Sequence, residues 1–315
     1  MKKVVAIGGG SGLATLLRAL RDYPIEITAV VTMTDDGAST GRLRKSFDIL
    51  PPGDIRKCIA ALSSNEDLLL ELFQYRFHQG PGIKGHSLGN LFISAARNVY
   101  GNFDSAIEGM CELFSTRGQV LPSTLENIEL MAEFDNSKKV RGESKITKAG
   151  YGRKINRVFL SRQAKSNKKV IEAIKAADFI LIGPGSLYTS ILPNFLLPTI
   201  LSSYQKSQAS KIYICNVSTE RGETDNFSVS DHIKTLNQYG IFFERVLVNN
   251  KRFKKGLGDG YIIPVVIDQN LFDGHLGDIV AKDLVDKKNP LYHDINKLGK
   301  EVWSLLLKRR KRSLF

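Results

Sequence analysis

Short unbroken apolar runs alternate along this chain with stripes of helical period. Residues 3–7, Lys-Val-Val-Ala-Ile, form a run of strand length, and Leu13, Leu16, Leu17 and Leu20 then share one helical face. Pro24 closes that helix, and residues 26–32, rich in β-branched side chains, predict a second strand. Strand, glycine-rich turn, helix and strand in that order are the opening of a doubly wound parallel sheet. Helices are expected from Asp54 through Leu62 with Asp54 as cap, and over residues 68–77, 86–100 and 104–114. Residues 127–160 change character. Segments 128–134, 140–146 and 157–160 alternate and are punctuated by Gly142, Gly150 and Gly152, which predicts a small antiparallel excursion. Buried strands resume at 178–182, 211–215, 245–248 and 262–267, and a last helix covers 294–307. The fold class is therefore α/β: a Rossmann-like, doubly wound, mostly parallel sheet with a helical insertion and the antiparallel excursion. Residues 1–307 read as one domain and 308–315 as a basic tail.

Composition narrows the classes. The longest apolar runs fall short of the roughly 18–20 residues that span a bilayer, and no export signal opens the chain, so a cytoplasmic protein is expected. Three cysteines, Cys58, Cys111 and Cys215, lie far apart with no CxxC pair, which indicates neither a disulfide framework nor a zinc site. The net charge of +13 is concentrated. Residues 138–169 carry twelve Lys or Arg against one acid, Glu143, and residues 308–312 add five cations. Such segments attract anions or simply solvate a surface. With few aromatics for base stacking and no recognisable module, no nucleic-acid partner is expected.

Candidate chemistry clusters at strand ends, where open parallel sheets bind ligands. Gly8-Gly9-Gly10-Ser11-Gly12 ends the first strand and opens the first helix, where free main-chain N–H groups favour an anion. Its spacing is neither the dinucleotide fingerprint nor a P-loop; a tight structural turn is the alternative. Thr34-Asp35-Asp36-Gly37 ends the second strand. Its acids suit ribose hydroxyls, a metal ion or a base, with a turn or cap as the plain alternative. Arg42 and Arg44 follow, able to meet a phosphate or pair with those acids. Pro52-Gly53-Asp54-Ile55-Arg56 delivers an arginine to a helix start, and His86 and Asn90, four apart, share a helical face. Gly183-Pro184-Gly185-Ser186-Leu187-Tyr188-Thr189-Ser190 and Asn216 through Thr224, with Ser218, Thr219, Glu220 and Glu223, supply uncharged donors, hydroxyls and carboxylates after two further strands. No Ser-His-Asp arrangement, HExxH or nucleophile elbow is present.

In this order and over roughly residues 3–270 these motifs resemble the CofD-like superfamily, and more closely its bacterial YvcK branch, the gluconeogenesis factors. The resemblance implies a nucleotide site at the carboxyl edge of the sheet. It implies a UDP-sugar such as UDP-N-acetylglucosamine as ligand, with NAD as a second candidate, and a role in cell shape and peptidoglycan supply on gluconeogenic carbon. It also implies a homodimer and a regulatory protein partner. No reaction is established for that branch. The sister branch transfers a phospholactyl group from a nucleotide-activated donor, so the alternative is a Mg²⁺-dependent transferase with Asp35 and Asp36 as candidate metal ligands and catalytic groups. A nicotinamide oxidoreductase is disfavoured by the glycine spacing. The chain departs from the family pattern at Ser11, Ala38, Ser218 and Glu220.

Overall fold

The first strand, β1 (Lys2–Gly8), is apolar on both faces, as a central parallel strand must be. Val4 and Ala6 enter one core and Val5 and Ile7 the other, so helices cover the sheet on both sides. The computed structural model describes residues 1–47, 49–64, 67–252, 262–268 and 278–308. The expected helix after β1 runs Gly10–Leu20, with Leu13, Leu16, Leu17 and Leu20 fully buried, and β2 follows at Ile25–Val31. Next come β3 (Gln119–Pro122), β4 (Leu130–Phe134), β5 (Lys139–Arg141), β6 (Ile155–Leu160), β7 (Phe179–Ile182), β8 (Ser210–Ile214), β9 (Arg245–Asn249) and β10 (Asp278–Lys282).

Seven of these form one sheet in the order β10-β9-β8-β7-β1-β2-β3, with every pairing parallel. The chain winds outward from β1 through β2 to β3, then returns to β1's other side and continues through β7 to β10. The switch in direction falls between β1 and β7, in register at Ile7 and Ile182. Diverging loops leave a crevice beyond the carboxyl ends of two such strands. A separate antiparallel sheet, β5-β4-β6, is the expected excursion. Between β2 and β3 lie the inserted helices Ala38–Phe47, Pro52–Leu62, Asp67–Gln74, Leu88–Tyr100 and Phe103–Leu113.

Four expectations need correction, and one strand, β3, was not foreseen. Residues 262–267 form no sheet strand; Pro264 makes an isolated bridge to Ser218, and the strand beside β9 is β10. β3 was too short and too close to a proline to stand out. The segment 140–146 divides: its first residues complete β5, and Glu143–Ala149 is helical. Asp54 does not cap its helix, since Pro51 holds that position and Asp54 lies inside the first turn. His86 precedes the helix that Ser87 caps, so it shares no helical face with Asn90. The closing helix is Ile295–Leu307 with Asp294 as cap, and it packs Gly299 against Ala19 of the first helix. Residues 309–315, most of the basic tail, lie outside the described residues.

Candidate functional site

A cavity of about 480 Å³ opens at the β1/β7 switch point. Three of its walls are loops that leave β1, β7 and β8. Gly10 adopts φ +63°, which turns the chain sharply into the first helix. Its N–H donates to Asp54 Oδ2 at 2.6 Å, and Lys57 Nζ donates to Asp54 Oδ1 at 2.8 Å. The next two N–H groups of the helix, on Ser11 and Gly12, have no partner among the described residues. Gly12 is required by close approach. A Cβ there would stand 2.5 Å from the Pro184 carbonyl oxygen. The β1 and β7 loops thus touch backbone to backbone, and the orphan amides face the cavity between them.

Across the opening, Gly185 N–H donates to Asn216 Oδ1 (2.9 Å) and Asn216 Nδ2 donates to Glu220 Oε1 (3.1 Å), locking the β7 and β8 loops together. Ser186, Thr189 and Ser190 add hydroxyls, and Asn194 Nδ2 ties the Leu192–Phe195 turn to the Gly8 carbonyl at 3.1 Å. Tyr292 and His293 close the far side. Burial lowers the His293 pKa to about 4, so the ring is neutral.

The acids are unusually concentrated. Asp35, Asp54, Glu143, Glu220 and Glu223 line the cavity, against Lys57 and Arg221. Burial, reinforced by Glu220, raises Glu223 to about 8, while the Thr189 and Thr147 hydroxyls bond its Oε1 at 3.0 and 3.1 Å. Burial, with Asp35 and Asp54 nearby, drives Glu143 well above the usual carboxylate range, and its Oε2 is sealed without a partner. Burial and Asp54 raise Asp35 as well. At neutral pH this wall therefore carries protons and is less anionic than its formulae suggest.

Of the residues the sequence nominated, Gly9, Gly10, Ser11, Gly12, Asp35, Gly185, Ser186, Asn216, Ser218, Thr219, Glu220 and Glu223 line the cavity. Gly8, Thr34, Gly183, Leu187 and Thr224 sit behind it. The Gly8 carbonyl is taken by Asn194, Thr34 Oγ1 meets Thr32 Oγ1 at 3.1 Å, Leu187 is core, and Thr224 Oγ1 accepts the Glu220 N–H. Asp36 faces elsewhere: its Oδ1 accepts Ser144 N–H at 2.8 Å and anchors the antiparallel excursion. Arg44 is spent on the Asp35 and Ile128 carbonyls and on Asn127. Arg56, His86 and Asn90 form a neighbouring cluster outside the cavity lining. In the basic segment, Arg141, Arg157, Arg162 and Lys169 pair at the surface with Glu129, Glu133, Glu126 and Asp104. Exposed pairs of this kind contribute little to stability.

Lys57, Glu143, Thr147, Tyr292 and His293 were not nominated, whereas Thr189 and Ser190 belong to the motif that follows the 178–182 strand. Two carried a signal: Lys57 stands three residues from Asp54, and Glu143 is the lone acid in a run of cations.

The profile of the family described as 2-phospho-L-lactate transferase CofD matches residues 4–297. The chain is 43% identical over 312 residues to the gluconeogenesis factor of Bacillus subtilis, covering 96% of this chain and 98% of that protein. It is 42% identical to the gluconeogenesis factor of Halalkalibacterium halodurans, covering 96% and 95%. A putative gluconeogenesis factor from Nostoc is 48% identical over 252 residues, and there the match spans 55% of the longer protein. A crystal structure described as a member of the UPF0052 family, from Bacillus halodurans, superposes with a TM-score of 0.91 at 41% identity, covering 96% of this chain and 98% of that one. No described helix is long and apolar enough to cross a membrane.

Proposed function

Because the chain belongs to the CofD family, among its gluconeogenesis factors, we propose that it binds a nucleotide-sugar of the UDP-N-acetylglucosamine kind in the switch-point cavity and acts as a regulator without turnover. One observation carries the reading: the unpartnered N–H groups of Ser11 and Gly12 at the head of a helix, set in a crevice beside uncharged donors. Two adjacent orphan amides at a helix N-terminus suit a diphosphate. Lys57 supplies positive charge, and the Glu223 carboxyl, raised to about 8, with Glu143 pushed upward by burial, lets an anion enter without facing a fully charged acidic wall. Asn216, Ser218, Thr219 and Glu220 suit the hydrogen-bonding edges of a base or sugar. The role in cell shape and cell-wall precursor supply follows from the resemblance, and is proposed with it for a cytoplasmic, homodimeric protein read by a regulatory partner.

The Mg²⁺-dependent transferase is less well supported. Asp35 and Asp36 do not converge, since Asp36 is held by Ser144, and no three His, Cys, Asp or Glu side chains among the described residues form a metal-ligand set. Calorimetric titration with UDP-N-acetylglucosamine, GDP and NAD, each with and without Mg²⁺, followed by mass spectrometry of the mixture, tests the proposal. Saturable UDP-sugar binding with the ligand recovered intact is the expected result. Magnesium-dependent consumption of a nucleotide-linked donor would replace the regulator by the transferase.

A further inference from the structure

Arg56, His86 and Asn90 meet around Ser39, on the side of the Pro52–Leu62 helix that faces the inserted helices. Arg56 Nε donates to Asn90 Oδ1 at 3.0 Å, and Asn90 Nδ2 donates to Ser39 Oγ at 3.0 Å. Ser39 Oγ lies 3.1 Å from His86 Nδ1. The amide occupies one lone pair of that oxygen; in the tautomer where the hydroxyl proton goes to Nδ1, the imidazole carries its own proton on Nε2 as a donor. Two more guanidinium groups flank the turn before His86: Arg42 Nη2 donates to the Lys84 carbonyl at 2.6 Å and Arg76 Nη1 to the Gly85 carbonyl at 2.5 Å. Gly89 makes room for the arginine stem, since a Cβ there would meet Arg56 Cδ at 2.8 Å.

This concentration of positive charge is built against its own repulsion. Arg56 is half-buried, yet among the described residues no carboxylate pairs with it or with Arg76, and the two lie within electrostatic reach of each other. Asp35 and Asp54 attract Arg56 from the cavity side, but Gly37 N–H engages the first and Gly10 N–H with Lys57 the second. The terminal nitrogens of Arg56 have no partner among the described residues, and a planar guanidinium presenting two such donors matches a phosphoryl group. We propose that Arg56, Arg76 and the Nε2–H of His86 form a seat for a phosphate-type oxyanion, distinct from the amides of Ser11 and Gly12. The occupant is either a second phosphorylated molecule or a further phosphoryl group of the ligand in the cavity; both present the same chemistry to this seat.

Inorganic phosphate is the probe, titrated calorimetrically into the full chain at low ionic strength. Arg76→Ser is the primary variant because the side chain is exposed, and Arg56→Met, which keeps the stem, is the second. Thermal melts confirm folding, and Arg76→Ser alone decides if Arg56→Met does not fold. The expected result is saturable phosphate binding, weakened at least about tenfold by either substitution and retained in Gly10→Asp. Phosphate binding that is absent, that ignores both arginine substitutions, or that is lost only in Gly10→Asp overturns the seat. Repeating the titration with saturating UDP-N-acetylglucosamine separates the sources. Unchanged phosphate binding identifies a second molecule, and Arg76-dependent displacement identifies a group of the same ligand. A chain that holds phosphate through Arg76 but binds no UDP-sugar refutes the nucleotide-sugar reading and leaves the seat standing.

Discussion

The carboxylate of Asp54 accepts the N–H of Gly10 at 2.6 Å, joining the start of the first helix to the first turn of a helix 44 residues on. One of the amides at the glycine turn is thereby satisfied within the protein, and the orphan donors shift to Ser11 and Gly12. Asp54 is almost wholly buried, and Lys57 balances it at 2.8 Å. Replacing it with alanine strands the Gly10 N–H and the Lys57 ammonium together. We expect Asp54→Ala to cost about 1–3 kcal/mol and Asp54→Asn, which keeps an acceptor oxygen, to cost less. Urea unfolding midpoints at constant m-value measure both.

Gly12 lets the β1 and β7 loops touch. Gly12→Ala places a methyl group 2.5 Å from the Pro184 carbonyl oxygen, where only backbone can yield. The expected outcome is a loss of about 1–3 kcal/mol, with nucleotide affinity falling further than stability because the amide cradle opens. Gly82, with nothing within 4 Å of an added Cβ, is the contrasting position. Its positive φ restricts the cost of Gly82→Ala to local strain, with no effect on ligand affinity.

Glu223 makes stability depend on pH in a stated direction. Its folded pKa, raised to about 8 by burial and by Glu220, exceeds the ordinary value of 4.5. The folded state therefore holds a proton that the unfolded chain has released. This contribution is whole below about 4.5, declines as pH rises, and is gone once pH passes through about 8. Urea midpoints of the wild type should fall between about pH 5 and about pH 8, and Glu223→Gln should flatten that part of the profile. Affinity for a diphosphate should weaken later, as pH rises through about 8, where the folded carboxyl loses its proton and the cavity gains negative charge. A wild-type profile parallel to that of Glu223→Gln would contradict the assignment.

Asn194 is buried and gives its amide hydrogens to the Gly8, Ser190 and Ile191 carbonyls, at 3.1, 2.9 and 3.2 Å. Asn194→Asp removes those donors and sets a carboxylate against carbonyl oxygens. A loss of about 2–4 kcal/mol is expected, larger than that of Asn194→Ala, as read by thermal and urea unfolding.

The sheet was legible where a strand was long and apolar on both faces, as in β1, or ended in an odd residue, as β7 ends in Gly183 and β8 in Cys215-Asn216. The glycine loops pointed to the switch point because sheet topology brings such ends together. Four-residue β3 was invisible, since four residues ending in a proline show no period. Apolar residues 262–267 misled because β-branched content marks a strand but does not say which edge it joins. At the site, sequence found the loops that leave strands and missed what arrives from elsewhere. Thr147 comes from the excursion, and Tyr292 and His293 from a turn before the last helix; none stands in a motif. Glu143 was noticed only as an exception in a charge count, whereas its isolation among cations reflects a side chain turned inward. His86 and Asn90 were paired as one helical face, which His86 does not join; they meet, together with Arg56, around Ser39, a contact that no spacing announces.

The most direct measurement is amide chemical shift. In ¹⁵N-labelled protein, UDP-N-acetylglucosamine and UDP should both move the Ser11 and Gly12 N–H resonances, while uridine, which lacks the diphosphate, should leave them in place. Gly10→Asp should abolish the response to UDP in a folded chain. If UDP binds with those two resonances unmoved, the diphosphate lies elsewhere and the account of the glycine loop is wrong.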